Sequence, residues 1–200
     1  MVLSDKYFLK PPKPIIEIVN VVATARVHQT IDLDQVVKNF DKIQYDPSRF
    51  PGLVFRIDKP KTSTLIFRTG GMVCTGAKSA KLARLAINTV VARLRKGGID
   101  VKNEPVVHVQ NIVASITLGN RIKFEEFVQG MPRIIYEPEQ FPGAILPIRD
   151  PKVVFLVFTT GKLVCTGGKN VDDVNRAVKD LYATLLKNDW MIFPEEKKTG

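Results

Sequence analysis

Apolar residues fill most positions of both parities from Ile15 to Val27, a run that reads as a long strand. One parity carries Val19, Val21, Ala23 and Ala25, and the other carries Ile18, Asn20, Val22 and Thr24. Both faces are therefore rather apolar. From Asp32 to Phe40 the spacing becomes helical, with Leu33, Val36, Val37 and Phe40 on one stripe. Asp32 is the expected cap, with Gln35 three residues on. Short runs at hairpin spacing follow: roughly Lys42 to Tyr45, Leu53 to Asp58, Ser63 to Arg68 and Met72 to Thr75. Thr69-Gly70-Gly71 supplies the turn between the last two. Ser79 then caps a long helix that ends near Arg95, at Gly97-Gly98. Its apolar stripe is Ala83, Ala86, Ile87, Val90 and Leu94, with Lys81, Arg84, Asn88 and Arg95 opposite.

The series then repeats. Tyr45 to Lys78 reads YDPSRFPGLVFRIDKPKTSTLIFRTGGMVCTGAK, and Tyr136 to Lys169 reads YEPEQFPGAILPIRDPKVVFLVFTTGKLVCTGGK. The constant offset of 91 pairs Asn20 with Asn111, Phe50 with Phe141, Phe67 with Phe158 and Cys74 with Cys165. A helical stripe of Phe124, Phe127, Val128 and Met131 and a second long helix from Asn170 complete the copy. One unit built twice is expected, related by a pseudo-twofold axis: a short arm over 1–14, repeats over 15–104 and 105–193, and a tail over 194–200. Each unit reads strand, helix, four strands, helix. The fold class is α+β, with about ten antiparallel strands and four helices.

Composition adds a partner class. The net charge is +10 and the isoelectric point about 9.7, which favours a polyanion. Residues 1–100 hold 17 Lys+Arg and 8 Asp+Glu, whereas 101–200 hold 13 and 12, so a partner can distinguish the halves by charge. No apolar run is long enough to span a membrane and no signal-peptide core is evident, so a soluble, intracellular chain is expected. Cys74 and Cys165 are too few for a four-ligand zinc site and read as small buried hydrophobes.

Four helices can cover only one face of such a sheet, and an uncovered apolar face usually marks a binding surface. Parity puts Val21, Ile66 and Cys74 on the helix side. Asn20, Val22, Leu65, Phe67, Val73 and Thr75 fall on the other, with Asn111, Val113, Leu156, Phe158, Val164 and Thr166 as their mates. That face holds no carboxylate, and His28 and His108 are not repeat-equivalent, so no catalytic pairing is expected. It suits the DNA minor groove. A·T pairs present only acceptors there, which Asn and Thr can satisfy, while Val and Leu would bury the guanine amine unpaired. Phe side chains at both ends can wedge between base steps.

The motifs RFPG, LIF, MVCTGAK and YEPEQFPG, present in register over about Ile15 to Phe193, resemble the TATA-binding protein family. This family is itself a standing example of minor-groove readers that kink DNA. The resemblance implies a saddle with a ten-stranded sheet underneath and helices on the convex face. It implies intercalation by Phe50, Phe67, Phe141 and Phe158, and groove contacts from Asn20, Val22, Leu65, Val73, Thr75, Asn111, Val113, Leu156, Val164 and Thr166. Arg56, Lys78 and Lys169 would meet phosphates. Gly71 and Pro147 depart from the family's Lys and Arg, and Arg149 is expected to compensate for the second. Glu137, Glu139 and Gln140 would meet transcription factor B, with RNA polymerase an indirect partner. No enzymatic activity, cofactor or metal is implied. An archaeal cytoplasmic or nucleoid protein is expected, or a nuclear one if this is a eukaryotic core. It would be a monomer on DNA, with a dimer off DNA left open. Two other classes compete: a single-stranded nucleic-acid binder that stacks bases on sheet aromatics, and an enzyme or lipid carrier using the apolar face.

Overall fold

The computed structural model describes residues 12–41 and 43–193. Most of the expected arm, the tail from 194 and Lys42 lie outside the described residues. The first repeat forms β1 (Ile15–Arg26), α1 (Leu33–Asn39), β2 (Gly52–Asp58), β3 (Lys61–Phe67), β4 (Gly71–Ala77) and α2 (Ala80–Lys96). The second forms β5 (Val106–Thr117), β6 (Arg121–Ile122), α3 (Phe124–Gly130), β7 (Ala144–Ile148), β8 (Val153–Val157), β9 (Lys162–Gly168), α4 (Val171–Lys187) and β10 (Met191–Ile192). The chain divides into two compact units, one of 18–113 with 167–171 and the other of the remainder.

Eight strands belong to the large sheet, in the hydrogen-bonded orders β2-β3-β4-β1 and β5-β9-β8-β7, while β6 pairs with β10 separately. The expected strand near Tyr45 shrinks to one bridge, Gln44 to Val54, and its mate to Ile135 with Ile145. The reason is local. Asp46 O accepts the N–H groups of Arg49 and Phe50, and Glu137 O accepts those of Gln140 and Phe141, so the chain turns at once. Tight turns at Gly70 (φ +78°) and Gly161 (φ +79°) join β3 to β4 and β8 to β9. There a Cβ would strike the backbone oxygens of Gln29 and Asn120.

Strand register sorts the residues into two kinds of row. Leu53, Ile66, Met72 and Ala25 lie opposite one another across four strands, and Phe55, Thr64, Cys74 and Ala23 form the next such row. All eight are buried. In the second repeat Leu146, Phe155 and Cys165 make the matching row, and they too are buried. Thr64 Oγ1 is buried without a hydrogen-bond partner among the described residues, and burial raises the neighbouring Cys74 thiol, an effect that the nearby Thr64 and Thr62 hydroxyls only partly offset. Both thiols are free and fully buried, and burial pushes Cys165 up to about 11.

Helix α2 packs on β2, β3 and β4 through Ala83, Ala86, Ile87, Val90, Val91 and Leu94, one residue more than the periodicity named. Ser79 caps it by accepting from the Leu82 N–H at 3.1 Å. Asp32 caps α1 through the N–H groups of Asp34 and Gln35. Two side chains depart from expectation. Val37 is 43% exposed, because a seven-residue helix turns only Leu33 and Val36 fully inward. Arg95 is no idle surface charge: it donates to Val101 O and Asn103 O and pairs with Glu104 at 2.8 Å, fastening the segment after α2.

Candidate nucleic-acid interface

The rows between the buried ones form the face without helices. In the first repeat Val54, Leu65, Val73 and Thr24 stand opposite one another, and Arg56, Ser63 and Thr75 form the next row. In the second, Ile145, Leu156 and Val164 match the first row, and Pro147, Val154 and Thr166 the second. Leu65, Val73, Leu156, Val164, Val22 and Val113 are all half-buried, shielded by sheet neighbours but not by helices. Val54 and Ile145 join this face although the groove residues named from sequence omit them. Alternation along β2 and β7 was the available signal.

The two Asn side chains are anchored alike. The Gly76 N–H donates to Asn20 Oδ1 at 2.8 Å, and the Gly167 N–H donates to Asn111 Oδ1 at 2.7 Å. Gly76 (φ +95°) and Gly167 (φ +97°) take a backbone conformation that side chains disfavour. An N–H can only donate, so each amide must present its oxygen to the glycine. That fixes the flip and directs Nδ2 away as a donor. For Asn20, the Thr75 hydroxyl lies 3.2 Å from Nδ2 and 3.3 Å from Oδ1. It can accept one of the two Nδ2 hydrogens and leaves the other unused. These glycines were not singled out from sequence.

The aromatic residues form two like pairs. Phe50 and Phe67 meet edge-on with centroids 5.9 Å apart and planes at 67°, and Phe141 and Phe158 do so at 5.9 Å and 64°. Phe50 remains 45% exposed. The glycine of each FPG triplet makes this possible. A Cβ on Gly52 would lie 2.5 Å from Phe50 Cε1 and 2.9 Å from Phe67 Cε1, and one on Gly143 would lie 2.8 Å and 2.9 Å from the matching rings.

The charged candidates are less concerted. Arg56, Lys78, Arg149 and Lys169 are all exposed, and Arg56 donates to Gln44 Oε1 at 2.7 Å. Pro147 has no N–H to donate, which β7 tolerates as an edge strand. The loops before the FPG triplets differ. The Asp46 carboxylate accepts from the Ser48 hydroxyl at 2.6 Å and pairs with Arg49 at 3.4 Å. Glu137, Glu139 and Gln140 are exposed, and the two carboxylates carry no ion-pair partner among the described residues.

The model for the family "Transcription factor TFIID (or TATA-binding protein, TBP)" matches residues 15–97 and again 106–188. The chain belongs to the TATA-binding protein family. It is 44% identical over 183 residues to the TATA-box-binding protein of Pyrobaculum aerophilum, covering 92% of each chain. It is 43% identical over 176 residues to that of Pyrodictium occultum, covering 88% of each. Among solved structures it resembles "Methanococcus jannaschii TBP", with a TM-score of 0.80 at 42% identity, over 86% of this chain and 98% of that one. The relatives named here are archaeal, as the sequence led one to expect.

His28 and His108, isolated in sequence, line the same pocket beside Phe67. Among the described residues no His, Cys, Asp or Glu cluster could hold a metal, and no helix is long and apolar enough to cross a membrane.

Proposed function

We propose that this TATA-binding protein family member is a general transcription initiation factor. It binds the minor groove of A·T-rich promoter DNA, kinks it with its two Phe pairs, and recruits transcription factor B and RNA polymerase. The archaeal relatives are named for TATA-box binding. The observation that carries the reading to this chain is the pinned amide. With Oδ1 held by a glycine N–H, Asn20 and Asn111 can offer only donors outward. A·T pairs offer only acceptors in the minor groove. The surrounding Val and Leu side chains would leave a guanine amine buried without a partner, at a cost of about 1–3 kcal/mol. Binding to A·T-rich and G·C-rich duplexes, with the bend read by end-to-end energy transfer, tests this. Preference for A·T-rich duplex with a bend is expected. Tighter binding to single strands would instead favour base stacking on the exposed aromatics.

The unpaired carboxylates support the factor B site. The first loop's Asp46 is neutralised internally, while Glu137 and Glu139 remain open to a basic partner. Glu139→Arg should abolish the ternary complex in a gel shift while leaving binary DNA binding equal or slightly tighter. Ser48→Arg should spare the ternary complex, and the reverse pattern would place the partner on the first repeat.

A further inference from the structure

A pocket of about 440 Å³ opens beside the ends of β1, β3 and β4 and the start of β5, lined by Arg26, His28, Phe67, Gly71, Val73 and His108 among others. No carboxylate lines it. We propose that this pocket binds a backbone phosphate of duplex DNA, with Arg26 supplying across the strand ladder the cation that the second repeat carries on Lys162. The proposal rests on the DNA-binding reading above and adds a site to it.

The ladder makes the case. Beyond an irregularity between Val21 and Ala23, β1 pairs with β4 so that Thr24 faces Val73 and Arg26 faces Gly71. Residues directly opposite share a face, with Cβ atoms about 4.5–5.5 Å apart in antiparallel pairs. Arg26 therefore stands two steps from the groove row, on the same side. The repeat offset turns Gly71 into Lys162 and Arg26 into Thr117. In one repeat the cation is on β9 and in the other on β1, at positions that are cross-strand neighbours in the first repeat. A Cβ on Gly71 would meet nothing nearer than Thr69 Oγ1 at 3.6 Å, so the space above it is open. Arg26 is exposed and has no hydrogen-bond or ion-pair partner among the described residues.

The histidines point the same way. His28 corresponds to Gly119, and both keep positive φ, +52° and +84°. The turn is conserved between repeats and the imidazole is an addition. His108 corresponds to Glu17, so a nitrogen base stands where the other repeat has an acid. All three exchanges put nitrogen donors around one opening beside Phe67. A guanidinium can grip both non-bridging oxygens of a phosphodiester at once, and imidazole N–H groups can donate to the remaining lone pairs of the same oxygens. A phosphate flanking the step wedged at Phe67 is the occupant this donor set fits.

The experiment is fluorescence anisotropy with one A·T-rich duplex over a range of salt concentrations. It compares wild type, Arg26→Thr, Lys162→Ala, and Arg26→Thr with Gly71→Lys. Losing one phosphate contact lowers the slope of log K against log salt by about 0.9. Arg26→Thr and Lys162→Ala should each show that loss, and adding Gly71→Lys to Arg26→Thr should restore it. Thermal melts establish that each variant is folded. If Lys162→Ala loses slope and Arg26→Thr does not, the pocket assignment is overturned while DNA binding stands. Failure of Gly71→Lys to rescue would overturn the cross-strand exchange. If wild type shows no salt-dependent duplex binding, the functional reading falls and takes this one with it.

Discussion

Replacing Asn20 by Asp and by Ala separates two jobs done by one side chain. Oδ1 accepts from the Gly76 N–H at 2.8 Å, and Nδ2 has one hydrogen left as an outward donor beyond the one it can give Thr75 Oγ1 at 3.2 Å. Asp has the same shape and keeps an acceptor for Gly76. It replaces the outward donor by a charged acceptor. Ala removes both. A net hydrogen bond is worth about 0.5–1.5 kcal/mol, so Ala should lower stability by that amount and Asp should hardly lower it. For a chain of this size about 1 kcal/mol moves Tm by about 2–4 °C. DNA binding should behave differently. A good groove contact is worth about 1–3 kcal/mol, or roughly 5- to 150-fold in affinity. Asp should lose at least as much as Ala, because its carboxylate meets adenine N3 and thymine O2, which are also acceptors. Melting curves and anisotropy titrations with an A·T-rich duplex at neutral pH give both readouts. If Asn20→Asp melts like Asn20→Ala and binds DNA like wild type, the amide serves the fold alone and the groove assignment is wrong.

Three further outcomes are expected. Phe158→Ala should reduce both duplex affinity and bend angle, since a kinked step then lacks its wedge; an unchanged bend would remove Phe158 from that role. Thr64→Val should raise Tm by a few degrees, because the hydroxyl it removes is buried without a partner; a lowered Tm would show that the hydroxyl is satisfied. The Cys165 thiol is raised from 9.0 to about 11, so the unfolded chain ionises first as pH rises. Its contribution to stability is intact below about pH 9 and is lost towards pH 11. Cys165→Ser or Cys165→Ala should flatten that part of the stability profile, and a profile identical to wild type would refute the assignment.

Much of this architecture could be read from residue order alone. The α2 stripe from Ala83 to Leu94 emerged almost whole, because 3.6-residue spacing survives any tertiary detail. Face assignment by alternation held for Ile66 and Cys74 against Leu65 and Val73, since a strand has only two sides. What stayed hidden depends on partners distant in sequence. The irregularity between Val21 and Ala23 decides that Arg26 meets Gly71, and nothing near Val21 announces it. The grip of Gly76 on Asn20 links residues 56 apart and needs a backbone angle that composition does not report. Arg95 looked like one charge among several on its helix until the chain beyond Gly98 folded back to receive it.

The buried rows bear on how such a duplicated chain can change over generations. Across β2 and β3 the first repeat sets Phe55 against Thr64, and across β7 and β8 the second sets Leu146 against Phe155. The large ring has exchanged strands. A crossover that copied β8 over β3 would place two phenylalanines face to face, and the opposite exchange would leave Leu146 beside a threonine and a void. Overpacking and cavities of this kind cost about 1–5 kcal/mol. Gene conversion between the repeats is thus penalised inside the core. That penalty leaves the two halves free to diverge at the surface, as they have at Arg26 and Thr117, at Gly71 and Lys162, and at Ser48 and Glu139.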